Sequence, residues 1–245
     1  MPRQPRKLSP TGYYHLIVRG IGKQALFEAP EDYAFYLKKL FRFSREAEVA
    51  VCAYCLMENH VHLLVRDEKG RLPAMMKRLG VSYAIYFNQK YARTGHLFQD
   101  RYLSEPVSDE PYLLTVFRYI LNNPAKAGIC PATEYAWSSY ALYDRPDALV
   151  DTSIFHALLG GSDHYAAFIQ TPNEDRCLEC DFPPRNDEWA RAVIQRRFGA
   201  QSGTILQGLD RRQRNAALRE LKRSGLSVRQ IERLTGISRN IVQRA

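Results

Sequence analysis

The stretch Tyr54-Cys55-Leu56-Met57-Glu58-Asn59-His60-Val61-His62-Leu63-Leu64-Val65 constrains the fold of this chain more than any other. It reads as an apolar strand, a polar break at Glu58-Asn59, and a second strand beginning at His60. Side chains alternate along a strand, so His60 and His62 project from one side while Val61 and Leu63 enter the other. Two imidazoles one pleat apart can grip a single ion or phosphate. Histidine on a strand is more often a packed residue than a ligand, so the pair gains weight only from what the rest of the chain brings to it.

The flanking segments supply the rest of a layered domain. Tyr13–Arg19 is rich in β-formers and ends at Gly20, a strand and its turn. Pro30-Glu31-Asp32 opens a helix whose apolar and aromatic residues recur to about Ala47, and a second helix is expected from about Ala74 to Tyr91. His96–Ser104 is expected as a further strand or extended turn. Ser108 reads as the N-cap of a third helix, with Asp109 and Glu110 at its positive end, Pro111 in its first turn and Pro124 as its stop. This succession is the pattern of an α+β sandwich, one antiparallel sheet with helices packed against it.

Beyond Pro124, Ile154–Leu159 and His164–Ile169 are expected as short helices, and Gln170–Asn186 as a linker or loop. Asp210–Arg223 reads as a basic helix broken by Gly225. Val228–Leu234, capped by Ser227, and Arg239–Arg244, capped by Ser238, are separated by a turn at Gly236. Helix, glycine turn and short helix form the helix-turn-helix pattern.

The net charge of +9 resides in one part of the 245 residues. Residues 185–245 carry fourteen Lys and Arg against five Asp and Glu, which is the whole excess. Such a tail favours a polyanion, most simply nucleic acid. No apolar run reaches bilayer length, and the basic Met1–Lys7 start has no signal-peptide core, so a cytoplasmic protein with no membrane partner is expected. Five cysteines without an export signal argue against a disulfide framework. Cys52 and Cys55, three apart in a strand, are expected to face opposite ways. Cys177 and Cys180 have no second pair to complete a zinc site, and all five are read as structural or incidental.

The histidine pair needs a third polar group, and Asn123 can complete a metal site through its amide oxygen. Tyr119 lies one helical turn earlier on the same face, in a stripe with Tyr112 and Val116. A helix packed on the histidine face of the sheet would present this phenol beside a bound divalent ion. Tyrosine is a poor nucleophile at neutral pH, but a cation that draws charge from a phosphate makes attack by the phenol feasible, giving a covalent phosphotyrosine. Fifteen tyrosines compete for that role. Tyr83, Tyr86 and Tyr91 are read as core or DNA-stacking residues of the second helix, and neither Tyr102 nor Tyr112 has a ligand-type residue one turn on.

Met57–Val65 together with Arg118-Tyr119-Ile120-Leu121-Asn122-Asn123-Pro124-Ala125-Lys126-Ala127-Gly128 resembles the REP-associated tyrosine transposases, a branch of the His-hydrophobic-His single-strand nucleases and transposases. Tyr14–Gly20, Gly95–Tyr102 and Trp137–Tyr140 also resemble segments of that family. Two positions depart from its pattern: Glu58 stands in place of a proline, and Asn122 in place of an apolar or small residue. The resemblance implies a ferredoxin-like catalytic domain over residues 1–145 that cleaves and rejoins single-stranded DNA, often beside a hairpin. On it Tyr119 is the nucleophile, forming a 5′-phosphotyrosyl link and freeing a 3′-hydroxyl, while His60, His62 and Asn123 hold Mg²⁺ or Mn²⁺. Residues 146–207 would connect this domain to an all-α helix-turn-helix module at 208–245, able to bind duplex DNA. Expected DNA contacts are Arg19, Lys90, Arg93 and Arg101 in the first domain, and Arg239, Asn240, Gln243 and Arg244 in the last helix. The protein is expected as a monomer or homodimer. The main rival expectation is a domesticated, non-catalytic DNA-binding protein or transcriptional regulator, and a second is a metal-dependent hydrolase that uses water, with Tyr119 only positioning substrate.

Overall fold

The apolar strands read from the sequence pair into one sheet. In the computed structural model, which describes residues 6–145, 149–171, 177–178, 187–199, 203–224, 226 and 228–245, the chain forms two compact units, Met1–Cys180 and Asp181–Ala245. The first unit opens with β1 (Tyr13–Arg19), α1 (Pro30–Ala47), β2 (Ala50–Met57), β3 (His60–Arg66), α2 (Leu72–Lys90), β4 (Leu103–Pro106) and α3 (Glu110–Leu121). It continues with α4 (Asn123–Lys126), α5 (Ser153–Leu159) and α6 (Ser162–Gln170). Strand order is β2-β3-β1-β4 with every neighbour antiparallel. The connections β1-α1-β2 and β3-α2-β4 therefore each step over one strand.

Alternation sorts the strand side chains between two cores. Leu16, Val18, Leu56, Val61, Leu63 and Val65 enter the core that contains Tyr36 and Leu40 of α1 and Leu79, Tyr83 and Phe87 of α2. Tyr13, Cys55, Met57 and Leu64 enter the other, with Leu113, Phe117 and Ile120 of α3, Phe155 of α5 and Tyr165 of α6. Each fully buried large apolar side chain stabilises the fold by about 1.5–3 kcal/mol.

A bulge between Val51 and Ala53 breaks the alternation of β2. The inserted residue returns Cys52 to the face that also holds Cys55, so both cysteines lie in the α3 core instead of facing opposite ways. Outside β2 the segment around Trp137-Ser138-Ser139 lies along the strand edge. Leu56 N–H donates to Trp137 O (2.9 Å), Ser139 N–H donates to Tyr54 O (3.0 Å), and Tyr54 N–H donates to Ser139 Oγ (3.0 Å). This stretch satisfies a strand edge that would otherwise present unpaired backbone groups.

Asp32 ties α1 to α2. Its carboxylate is fully buried and accepts from the Glu28 and Ala29 backbone N–H groups (2.9 and 3.0 Å), Tyr86 (3.0 Å), Tyr91 (2.6 Å) and Lys90 Nζ (2.7 Å).

Several boundaries differ from the sequence expectations. The strand expected over His96–Ser104 is confined to β4, with a single bridge between Gly20 and Phe98. Asp109, not Ser108, caps α3 by accepting from Tyr112 N–H at 2.8 Å, because a carboxylate is the stronger acceptor and Ser108 donates to it. The chain leaves α3 at Asn122, before Pro124, which sits in the first turn of α4.

The second unit contains α7 (Asp187–Phe198), a 3-10 turn at Gly203–Gly208, α8 (Arg211–Arg223), α9 (Val228–Thr235) and α10 (Arg239–Arg244). Ala190, Ile194, Leu206, Leu218, Leu221, Ile231 and Val242 form its core. Residues expected to connect two domains are thus shared between them, α5 and α6 in the first unit and α7 with the 3-10 turn in the second. Asp210 caps α8 by accepting from Arg212 and Gln213 N–H. Ser238 occupies the N-cap of α10 without a side-chain bond, and Glu232 Oε1 instead accepts from Arg239 N–H at 2.9 Å. Gly236 adopts φ +70°, a left-handed backbone conformation that favours glycine in this turn. Ser227, Gly225, Cys180 and most of the expected 170–186 linker lie outside the described residues.

Candidate active site

The turn before His60 is anchored from two directions. Gly20 N–H donates to Asn59 O at 3.0 Å, and Leu26 and Phe27 N–H both donate to Glu58 O at 2.7 and 3.2 Å. A Cβ at Gly20 would sit 2.2 Å from Gln24 O, so only glycine lets β1 end this close to the loop beyond it. The register then sets His60 opposite Arg19 and His62 opposite Ile17.

The histidine face of the sheet lies under α3. The His60 and His62 rings are 4.9 Å apart between centroids, and the Tyr119 ring is 5.7 Å from His62, edge-on to it. Tyr119 is 6% exposed and His62 1%, whereas His60 is half-buried, so access to the group is from the His60 side. Lys126 Nζ lies 4.4 Å from the centre of the Tyr119 ring. Asn123 is buried at the start of α4 and donates its amide N–H to Tyr119 O at 3.2 Å, which leaves Oδ1 as the atom it can offer a cation.

One residue of this cluster went unrecognised in the sequence. His15 on β1 is fully buried, with Nε2 3.0 Å from His62 Nδ1 and its ring stacked on that of His62 at 5.3 Å. It also lies 5.9 Å from Tyr119. The signal was a lone polar side chain between Tyr13 and Ile17, in step with the face-alternation of the central strand. Burial holds the His15 imidazole down at about 3. Burial, then the neighbouring His15 and His60, hold His62 well below the usual histidine range. Both rings are neutral at physiological pH.

The donor atoms are of types that a divalent cation accepts. His60 donates Nδ1–H to Asn59 Oδ1 at 2.7 Å, which puts its lone pair on Nε2. Two imidazole nitrogens and an amide oxygen are acceptable to Mg²⁺ or Mn²⁺ and suit the latter better. Among the described residues no three His, Cys, Asp or Glu side chains form a metal-binding group, so a cation here would depend on Asn123 as the third protein ligand.

Of the competing tyrosines, four are tied to partners within the fold, and the buried Tyr102 hydroxyl makes no hydrogen bond among the described residues. Tyr83 donates to Leu26 O, Tyr86 and Tyr91 donate to Asp32, and Tyr112 donates to Glu105. Of the residues expected at the DNA, Lys90 is engaged by Asp32, and Arg93 donates to Gln24 Oε1 at 2.6 Å while lying over the Phe87 ring. Arg19 is half-buried beside His60, and Arg101 is exposed. Arg239, Asn240, Gln243 and Arg244 are all exposed on α10 around the buried Val242.

Residues 9–123 match the family model described as "Transposase IS200 like". This part of the chain is therefore similar to the IS200-like transposases. It contains β1, the His60 hairpin and all of α3, and ends at Asn123. Among solved structures, a REP-associated tyrosine transposase bound to a REP hairpin aligns over 62% of this chain and 96% of its own, at 15% identity and TM-score 0.46. A putative transposase from Deinococcus radiodurans R1 aligns over 49% of this chain and 96% of its own, at 20% identity and TM-score 0.35. No curated protein matches the chain.

Proposed function

We propose that the transposase domain cleaves and rejoins single-stranded DNA through a covalent link to Tyr119. The observation that carries this reading is the convergence of His60, His62 and Tyr119 on one face of the sheet, with ring centroids 4.9 and 5.7 Å apart in succession. Tyr119 Oη loses its proton as it attacks the scissile phosphorus and bonds to the 5′-phosphate, and the bond to the 3′-oxygen breaks as that oxygen takes up a proton to leave a 3′-hydroxyl. That hydroxyl, or another, reverses the step and rejoins the strand. His60, His62 and Asn123 would hold a divalent cation, which when bound supplies charge neutralisation at the phosphate. Lys126 adds positive charge beside the phenol.

The strand order with its two stepped connections supports a ferredoxin-like reading of the domain. The α9–Gly236–α10 arrangement and its four exposed polar residues support a helix-turn-helix that holds duplex DNA. The substrate on this reading is single-stranded DNA bearing a hairpin.

The test is incubation of labelled single-stranded DNA, with and without a hairpin, in Mn²⁺ or EDTA, using wild type, His60→Ala and His62→Ala. Cleavage that requires Mn²⁺ and both histidines is expected. Cleavage indifferent to EDTA would sink the metal assignment, and binding without cleavage would favour a DNA-binding regulator.

A further inference from the structure

We infer that His15 is a positioning residue, which with Glu105 holds His62 in the tautomer that keeps its lone pair on Nε2. This rests on the reading of His62 as a metal ligand, but the tautomer itself is a property of the metal-free protein.

The geometry runs across three strands. His15 faces Glu105 directly in the β1–β4 register, and His62 lies diagonally across on β3. The His15 ring bridges them: Nδ1 is 4.0 Å from Glu105 Oε2 and Nε2 is 3.0 Å from His62 Nδ1. Glu105 Oε2 is held in place by Tyr112 Oη–H at 2.7 Å and by Leu178 N–H at 3.1 Å. His15 Nδ1 is buried and makes no hydrogen bond among the described residues, and the Glu105 carboxylate lies 4.0 Å from it, beyond hydrogen-bond reach but close enough to act through its charge.

One nitrogen of the His15–His62 pair must donate and the other accept. At 4.0 Å the negative charge of the carboxylate favours a proton on His15 Nδ1 over a lone pair there. His15 therefore carries its proton on Nδ1 and accepts at Nε2. The shared proton then belongs to His62 Nδ1, and the His62 lone pair lies on Nε2. His60 reaches the same state independently through Asn59 Oδ1. Both imidazoles are thereby set to ligate through the same ring atom, and the ordering entropy of choosing tautomers is spent during folding.

The burial of His15 has a bland explanation as packing, and the substitutions are chosen to separate the two. His15→Phe preserves ring volume and removes the acceptor. His15→Gln places a carbonyl oxygen near the former Nε2 position and restores it. Long-range ¹⁵N–¹H spectra of the metal-free protein read the protonated nitrogen of His62 directly, and Mn²⁺ titration followed by electron paramagnetic resonance reads affinity. Wild type and Gln are expected to show His62 protonated at Nδ1, while Phe shifts the proton toward Nε2 and weakens Mn²⁺ binding about 10- to 100-fold. Glu105→Gln should shift the tautomer part of the way.

A wild-type His62 protonated at Nε2 overturns the inference whether or not any variant folds. So does a Phe variant with unchanged tautomer and affinity. If instead His60→Ala and His62→Ala bind Mn²⁺ like wild type while the tautomers behave as stated, the metal reading fails and the positioning of His62 stands.

Discussion

Replacing Asp32 by Asn removes one charge from the junction of α1 and α2 and leaves its shape. Five donors converge on this carboxylate, three at Oδ2 and two at Oδ1. An amide can accept at only one of those positions. If its oxygen serves the Glu28 and Ala29 amides and Tyr91, its NH₂ is turned against Tyr86 and Lys90. Breaking a buried charged network in this way costs about 3–5 kcal/mol. Lys90 is 30% exposed on its side chain and can turn to water, which places the expected loss near 3 kcal/mol.

At about 2–4 °C per kcal/mol for a domain of this size, Tm should fall by roughly 6–12 °C. Burial raises the Asp32 carboxyl, but hydrogen bonds from Lys90, Tyr91, the Glu28 amide and Tyr86 outweigh it and bring it from 3.8 to about 2. A carboxyl lowered by folding stabilises above its unfolded value, and that contribution is lost as pH falls from 3.8 towards about 2. The gap in Tm between wild type and Asp32→Asn should therefore be constant near neutrality and close across that acid window. Scanning fluorimetry from neutral pH down through the window measures both. A shift under about 2 °C at neutral pH, or a gap independent of pH, would refute the account of this junction.

Removing the second unit after Cys180 should weaken binding to duplex DNA while cleavage of a saturating oligonucleotide is retained. The salt dependence of binding should flatten by about 0.9 for each phosphate the shortened chain no longer neutralises. An unchanged slope in a salt titration would show that α10 holds no DNA. The cut belongs at 180 because α7 and Leu206 belong to the core that supports α9 and α10. Gly20→Ala should destabilise the first unit by about 1–3 kcal/mol and slow cleavage, since the added Cβ would meet Gln24 O and push apart Gly20, which holds Asn59 O, and the loop that holds Glu58 O. Urea unfolding checks the first effect, and native stability would contradict it.

Much of the sheet was legible because its strands are runs of β-forming, apolar residues bounded by polar or glycine-containing turns. The β1 and β3 segments, α1 and both short helices α5 and α6 lie where periodicity put them, within a few residues. Cys52 defeated the same rule, since a bulge leaves no trace in a run of buried apolar residues. Pairing of 135–139 on β2 was equally hidden, because an edge segment needs no alternation of its own. At the site, spacing within a strand pairs His60 with His62, spacing within a helix pairs Tyr119 with Asn123, and the family resemblance brings the two pairs together. His15 and Glu105 could not, as their approach depends on cross-strand register and neither is near the other in sequence. Lys90 illustrates the opposite error: a basic residue on a helix looks available until a buried carboxylate is found beside it.

The central claim is that Tyr119 forms the covalent bond to DNA, and Tyr119→Phe tests it most directly. The change deletes one oxygen from a ring that is 6% exposed and keeps its packing against the α3 core, and His60, His62 and Asn123 remain to hold the cation. With Mn²⁺ and single-stranded DNA, wild type should give an adduct that survives denaturing electrophoresis and maps to the peptide containing Tyr119. The Phe variant should bind Mn²⁺ and DNA as before and give no adduct. Cleavage by the Phe variant at the wild-type rate, or an adduct mapping to Tyr83, Tyr86 or Tyr91, would contradict the account.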